Sequence, residues 1–188
     1  MLKRGFKSWG ERVALAYRKE LGIDKSEPLP ARDLAQHLKV RILTPREVPS
    51  LSSEAIALLL GVAASSWSAV TITKGEKNAV IYNSSHSASR QSNDIMHELS
   101  HIIVGHTPQM IHSQDTGIFL RHYDANQENE ADCLASILLL PKDVLMKIKF
   151  SHMSHDAAAR TYGTSQTLLQ MRLNTSGINH IFVRSRKF

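Results

Sequence analysis

Cysteine is all but missing from this chain. Cys133 stands alone among 188 residues, so neither an internal disulfide nor a cysteine-built zinc knuckle can form. Proline and glycine are sparse, at 6 and 9, which excludes collagen-like and linker-dominated chains. No apolar run reaches the roughly 18 residues that span a bilayer. The longest, Ala55 to Ala64 and Ala135 to Pro141, stop well short. The opening MLKRGFKSWGERVALAYRKE is interrupted by charges and Tyr17 and lacks the apolar stretch of a secretory leader. The expectation is a cytoplasmic protein without a membrane partner. With 42% apolar and 21% charged residues, the composition is globular rather than disordered. A chain of this length buries enough surface to fold without covalent staples.

Charge is unevenly placed. Against 17 acids stand 23 Lys and Arg, a formal +6. Residues 1–25 are rich in bases, and residues 160–188 carry Arg160, Arg172, Arg184, Arg186 and Lys187 with no acid. Residues 124–132 reverse the sign with Asp124, Glu128, Glu130 and Asp132. A basic tail permits nucleic-acid contact but is more often a solvated face, so nucleic acid is not the favoured partner. Ten histidines are many for this length and point towards a metal.

Periodicity and breakers divide the chain. Phe6, Trp9, Val13 and Leu21 recur at helical spacing, predicting a helix over 5–21 closed by Gly22. A short helix over 31–38 and a strand over 40–43 follow, then a helix over 53–60. The β-branched runs 67–73 and 79–82 flank the hairpin-like KGEKN. Helices are expected over 90–105 and 127–140, the second stopped by Pro141, with residues 107–125 irregular between them. A helix over 142–149 precedes a C-terminal helical hairpin, 154–177, with Ser154 and Ser165 as caps, and residues 180–184 read as a last strand. The plan is one α+β domain over 1–188, a small antiparallel sheet with helices packed around it.

One segment carries chemistry. His97-Glu98-Leu99-Ser100-His101 puts two imidazoles at i and i+4, on one helix face. Two such nitrogens can hold Zn²⁺, and Glu98 is placed to take a proton from water at the open coordination position. Ile95, Leu99, Ile102 and Ile103 make the helix amphipathic. A catalytic site needs a third protein ligand. His106 falls one residue short of the metzincin spacing. On the second helix Glu128 and Asp132 share a face, continued by the small Ala131 and Ala135, whereas Glu130 points about 200° away at 100° per residue. Glu128 is therefore the chosen ligand, Asp132 an acceptor for a ligand histidine's other N–H, and Glu130 a solvated acid.

At this point the sequence resembles the ImmA/IrrE family of metallo-endopeptidases. The matching blocks are Asn83 to Arg90, His97 to His101, and Glu128-Asn129-Glu130-Ala131-Asp132-Cys133-Leu134-Ala135 running to Leu140-Pro141; Tyr162 to Leu173 resembles the closing helices. Leu134 departs from the more usual phenylalanine, a packing change. The resemblance implies a zincin-like fold, with His97, His101 and Glu128 as metal ligands and Glu98 as catalytic base. It also implies an intracellular zinc protease, often carried on mobile elements, that cleaves or inactivates a helix-turn-helix repressor.

Lesser candidates are Arg90, for the helix start or a carboxylate, and His112, His122 or Tyr123 as hydrogen-bond donors to an oxyanion. Cys133 reads as a core thiol. Two other functions compete. Ala159, Gly163 and Leu169 fall at helix-turn-helix spacing, so segment 155–174 could belong to a DNA-binding regulator, but the same features suit a helical hairpin packed on the body, which is the favoured reading. A zinc-bound pseudo-enzyme that only binds a partner is the other, and the retained Glu98 speaks against it.

Overall fold

The computed structural model describes residues 2–75, 77–106, 110–112, 119–121 and 124–178. In chain order these form α1 (Phe6–Glu20), α2 (Ala31–His37), β1 (Arg41–Leu43), a short 3₁₀ turn (Pro45–Glu47), α3 (Ser53–Leu60), β2 (Ala69–Lys74) and β3 (Lys77–Tyr82). Next come α4 (Ala88–Val104), β4 (Met110–His112), β5 (Phe119–Arg121), α5 (Ala125–Leu139), α6 (Lys142–Phe150), α7 (His155–Thr161) and α8 (Gln166–Thr175). The fold is α+β, a small sheet with helices packed around it. Among the described residues no helix is long and apolar enough to cross a membrane.

Two local expectations are corrected. The sheet runs β1-β3-β2 and is mixed, not antiparallel. β2 and β3 form the antiparallel hairpin, with Ala69 opposite Tyr82, whereas β1 lies parallel to β3, with Arg41 opposite Ala79. The chain passes through α3 and β2 before β3, and that crossover brings β3 back in the direction of β1. The segment expected to be irregular holds a short antiparallel ladder, β4 with β5, Ile111 opposite Leu120. The strand expected over 180–184 lies outside the described residues.

α4 and α5 share the broadest interface between helices, and α1 covers the far side of α5. Ile95, Met96 and Leu99 of α4 and Leu134, Ile137 and Leu138 of α5 belong to one buried core, all but excluded from solvent. α1 offers Phe6, Gly10, Ala14 and Arg18 at four-residue spacing, all buried. Gly10 allows a tight approach, since a Cβ there would lie 3.1 Å from Ile137 Cδ1. Arg18 gives Nη1 to the Ala14 carbonyl at 3.2 Å and Nε to the Glu27 carbonyl at 3.1 Å. Burial lowers its guanidinium to about 10.

One carboxylate ties three helices. Glu11 of α1 accepts from Arg172 Nη2 of α8 and from the Lys142 amide at the start of α6, both at 2.9 Å. Arg172 is buried and also gives Nε to the Leu140 carbonyl at 3.1 Å. Removing one partner of a buried pair leaves an uncompensated charge. Glu11→Ala is therefore expected to lower stability by about 3 kcal/mol, measured by urea unfolding. A loss below about 1 kcal/mol, the range of exposed pairs, would show that the pair does not hold these helices.

Candidate metal centre

The site is built from the two helices of that central interface. α4 starts at Ser87, whose Oγ accepts from the Arg90 amide at 3.4 Å. Its apolar side, Ile95, Met96 and Leu99, is drawn into the core. That rotation turns His97 and His101 together towards α5. α5 starts at Asp124, whose Oδ1 accepts from the Asn126 amide at 2.8 Å and the Gln127 amide at 3.4 Å. Glu128 then falls in the first turn, where the helix dipole favours a negative charge.

Three donor atoms converge. His97 Nε2 and His101 Nε2 are 3.0 Å apart; Glu128 Oε2 is 3.2 Å from the first and 3.5 Å from the second. Tetrahedral bonds of 2.0–2.1 Å require donors about 3.3 Å apart. The three edges bracket that value, so the set fits one small divalent cation without rearrangement. Among the described residues this is the group of His, Cys, Asp and Glu whose donors meet in this way.

The surroundings orient these groups. His97 Nδ1 lies 2.8 Å from Asp132 Oδ1; the carboxylate can only accept, so the ring's proton sits on Nδ1 and Nε2 is left as a donor to a cation. Burial opposes charge on His97, but the bond to Asp132 and the carboxylates of Asp132, Glu98 and Glu128 outweigh it and raise its pKa. Glu98 is buried, and its Oε2 accepts from the Thr71 hydroxyl of β2 at 2.5 Å. The sheet thereby sets the rotamer of the acid beside the two histidines.

The remaining candidates are dispersed. Arg90 reaches Ser68 Oγ at 3.2 Å and stands 3.9 Å from Asp94, an exposed contact at the start of α4. The backbone of His112 lies in β4, while its side chain, His122 and Tyr123 lie outside the described residues. Cys133 is half-buried, and burial raises its thiol pKa. Glu130 is not a solvated acid. It is buried against His106 Nε2 at 3.1 Å and Lys3 Nζ at 3.3 Å. Its helical phase away from Glu128 was legible in the sequence; the two groups that cover it come from elsewhere in the chain.

The sequence matches the family described as the IrrE N-terminal-like domain, a peptidase family, over residues 57–174. The chain belongs to that family. The match runs from within α3 to the last turn of α8 and includes both site helices, so this is a chain of a metallopeptidase family with a His/Glu cluster of metal-binding geometry. No curated protein matches the chain.

Sequence reasoning missed Thr71, His106 as a partner of His101, and Glu130 as part of the same buried network. Thr71 sits in a run of alternating β-branched residues, where nothing marks one threonine as facing a carboxylate. The ligand set has a direct check. His97→Ala, His101→Ala and Glu128→Ala should each abolish stoichiometric zinc on metal analysis of the purified protein. Full occupancy in Glu128→Ala, with zinc lost in Glu130→Ala, would put the wrong face of α5 on the metal.

Proposed function

We propose that the protein is a zinc-dependent endopeptidase of the cytoplasm, acting as one domain on a specific protein substrate, a helix-turn-helix repressor. The convergence of three donors at 3.0, 3.2 and 3.5 Å, with a buried glutamate one residue after the first histidine, carries this reading. His97, His101 and Glu128 would hold the ion. When bound, it supplies Lewis acidity, polarising a carbonyl and making water a stronger acid. Glu98 accepts the proton of the attacking water and passes it to the departing amide nitrogen. Thr71 keeps the Glu98 carboxylate aimed during that transfer, and Asp132 holds the His97 ring in one tautomer.

The substrate class follows from the family resemblance and from a physical argument. A protease working among its host's own proteins must be narrow in specificity or restrained. The DNA-binding reading of segment 155–174 has less support. α8 buries Leu169, Arg172 and Leu173, and Arg172 is spent on Leu140 and Glu11. That is the behaviour of a hairpin packed on the peptidase body.

Glu98→Gln keeps shape and removes the proton acceptor. It should retain zinc and lose turnover by at least ~10²-fold, read from cleavage of the repressor encoded nearby. An unchanged rate would remove Glu98 from the mechanism. Co-expression with that repressor, followed by mass spectrometry, should yield one or a few cuts, with casein-like proteins left largely whole. Digestion of unrelated unfolded proteins alongside an intact repressor would overturn the substrate assignment.

A further inference from the structure

On the other edge of the His101 ring lies a polar chain that the proton transfers above do not use. His101 Nδ1 is 2.9 Å from His106 Nδ1, His106 Nε2 is 3.1 Å from Glu130 Oε2, and Glu130 Oε1 is 3.3 Å from Lys3 Nζ. The side chains of His101, His106 and Glu130 keep only 4%, 7% and 5% of their exposure. At that burial each polar atom needs its partner, because a lost hydrogen bond is not replaced by water. Lys3 is exposed and closes the chain at the surface.

The helix end creates this arrangement. Gly105 takes a left-handed φ of 79°. Its amide bonds to the Ile102 carbonyl at 3.1 Å, and the His106 amide bonds to the His101 carbonyl at 3.0 Å. This pairing is the Schellman closure, which sets the residue after the glycine back against the third from the helix end. A histidine five residues after His101 is thus returned onto His101 itself. The same spacing keeps it from acting as a ligand, since its Nδ1 faces the His101 ring edge opposite the donors.

The proton positions follow in order. Glu130 Oε1 faces the Lys3 ammonium, which can only donate, and its Oε2 faces His106 Nε2, so the carboxylate serves as an acceptor on both sides. His106 must then carry its proton on Nε2. In the neutral His106 ring Nδ1 is then bare and can only accept, which places the His101 proton on Nδ1. The remaining nitrogen, His101 Nε2, is left with a lone pair aimed at His97 Nε2 and Glu128 Oε2.

We propose that His106 and Glu130 are positioning residues of the metal centre: Glu130 sets the tautomer of His106, and His106 sets that of His101, keeping the His101 Nε2 lone pair on the cation side. The inference rests on the metal reading above, but the proton placement belongs to the chain with or without an ion. Together with Asp132 on His97, it gives each ligand histidine its own carboxylate-anchored brace, one direct and one through a second imidazole.

The test uses the full chain, ¹⁵N-labelled at histidine, as wild type, His106→Phe, His106→Asn and Glu130→Leu. Asparagine offers an oxygen near the Nδ1 position and should rescue. Long-range ¹H–¹⁵N spectra of the metal-free protein read the tautomers, and chelator competition reads zinc affinity. Wild type should show His101 protonated on Nδ1. His106→Phe should mix the two His101 tautomers and weaken zinc by roughly 10–100-fold; His106→Asn should recover most of that loss, and Glu130→Leu should mix the His106 tautomers. Wild-type His101 protonated on Nε2 overturns the proposal without any variant. So does a folded His106→Phe with unchanged tautomer and affinity. Wild type that takes no zinc while His101 stays protonated on Nδ1 would defeat the metal reading, and the tautomer response of the variants would still decide this one.

Discussion

A carboxylate on one helix must reach two imidazoles on another, and the rest of the molecule is organised around that approach. α4 and α5 come close because the facing side of α5 is small where it must be. Ala131 and Ala135 are fully or almost fully buried there, with Leu134 and Leu138 filling the interface beside them. α1 presses on α5 from behind, and Gly10 leaves room for Ile137. Glu11 and Arg172 then lock α1, α6 and α8 together. The N-terminal helix lies before the stretch that matches the peptidase family, yet it backs the ligand helix directly.

Charge is managed with the same economy. Carboxylates removed from water destabilise a fold unless each finds hydrogen-bond donors or a cation. Buried Glu98 has Thr71 and buried Glu130 has His106 and Lys3, while Asp132, which stays exposed, accepts from His97. Glu128 alone is turned between the two Nε2 atoms, where a divalent ion would complete its environment. The acids that looked like one negative run in the sequence thus serve three separate tasks, divided by the helical phase of α5.

The parts legible in the sequence are those set by spacing within a single element. The i, i+4 histidines, the shared face of Glu128 and Asp132, and the helix limits at Gly105 and Pro141 all follow from 3.6-residue periodicity and known stop signals. The parts that were not legible depend on contacts between distant segments. Glu130 looked solvated because nothing in residues 124–132 shows that Lys3 and the end of α4 cover it. Thr71 acquires its role only once β2 lies beside α4. β1 is three residues long, too short for its pattern to reveal a parallel partner. The ladder of β4 and β5 rests on two three-residue runs, MIH and FLR, below the length at which alternation can be read.

Whether two imidazoles of α4 and one carboxylate of α5 hold a single ion is decided by X-ray absorption at the zinc edge of the zinc-loaded chain. The expected spectrum shows four nitrogen or oxygen neighbours at about 2.0–2.1 Å, with scattering from two imidazole rings. A sulfur neighbour near 2.3 Å, which only Cys133 or a methionine could supply, or a ring count other than two, would contradict it.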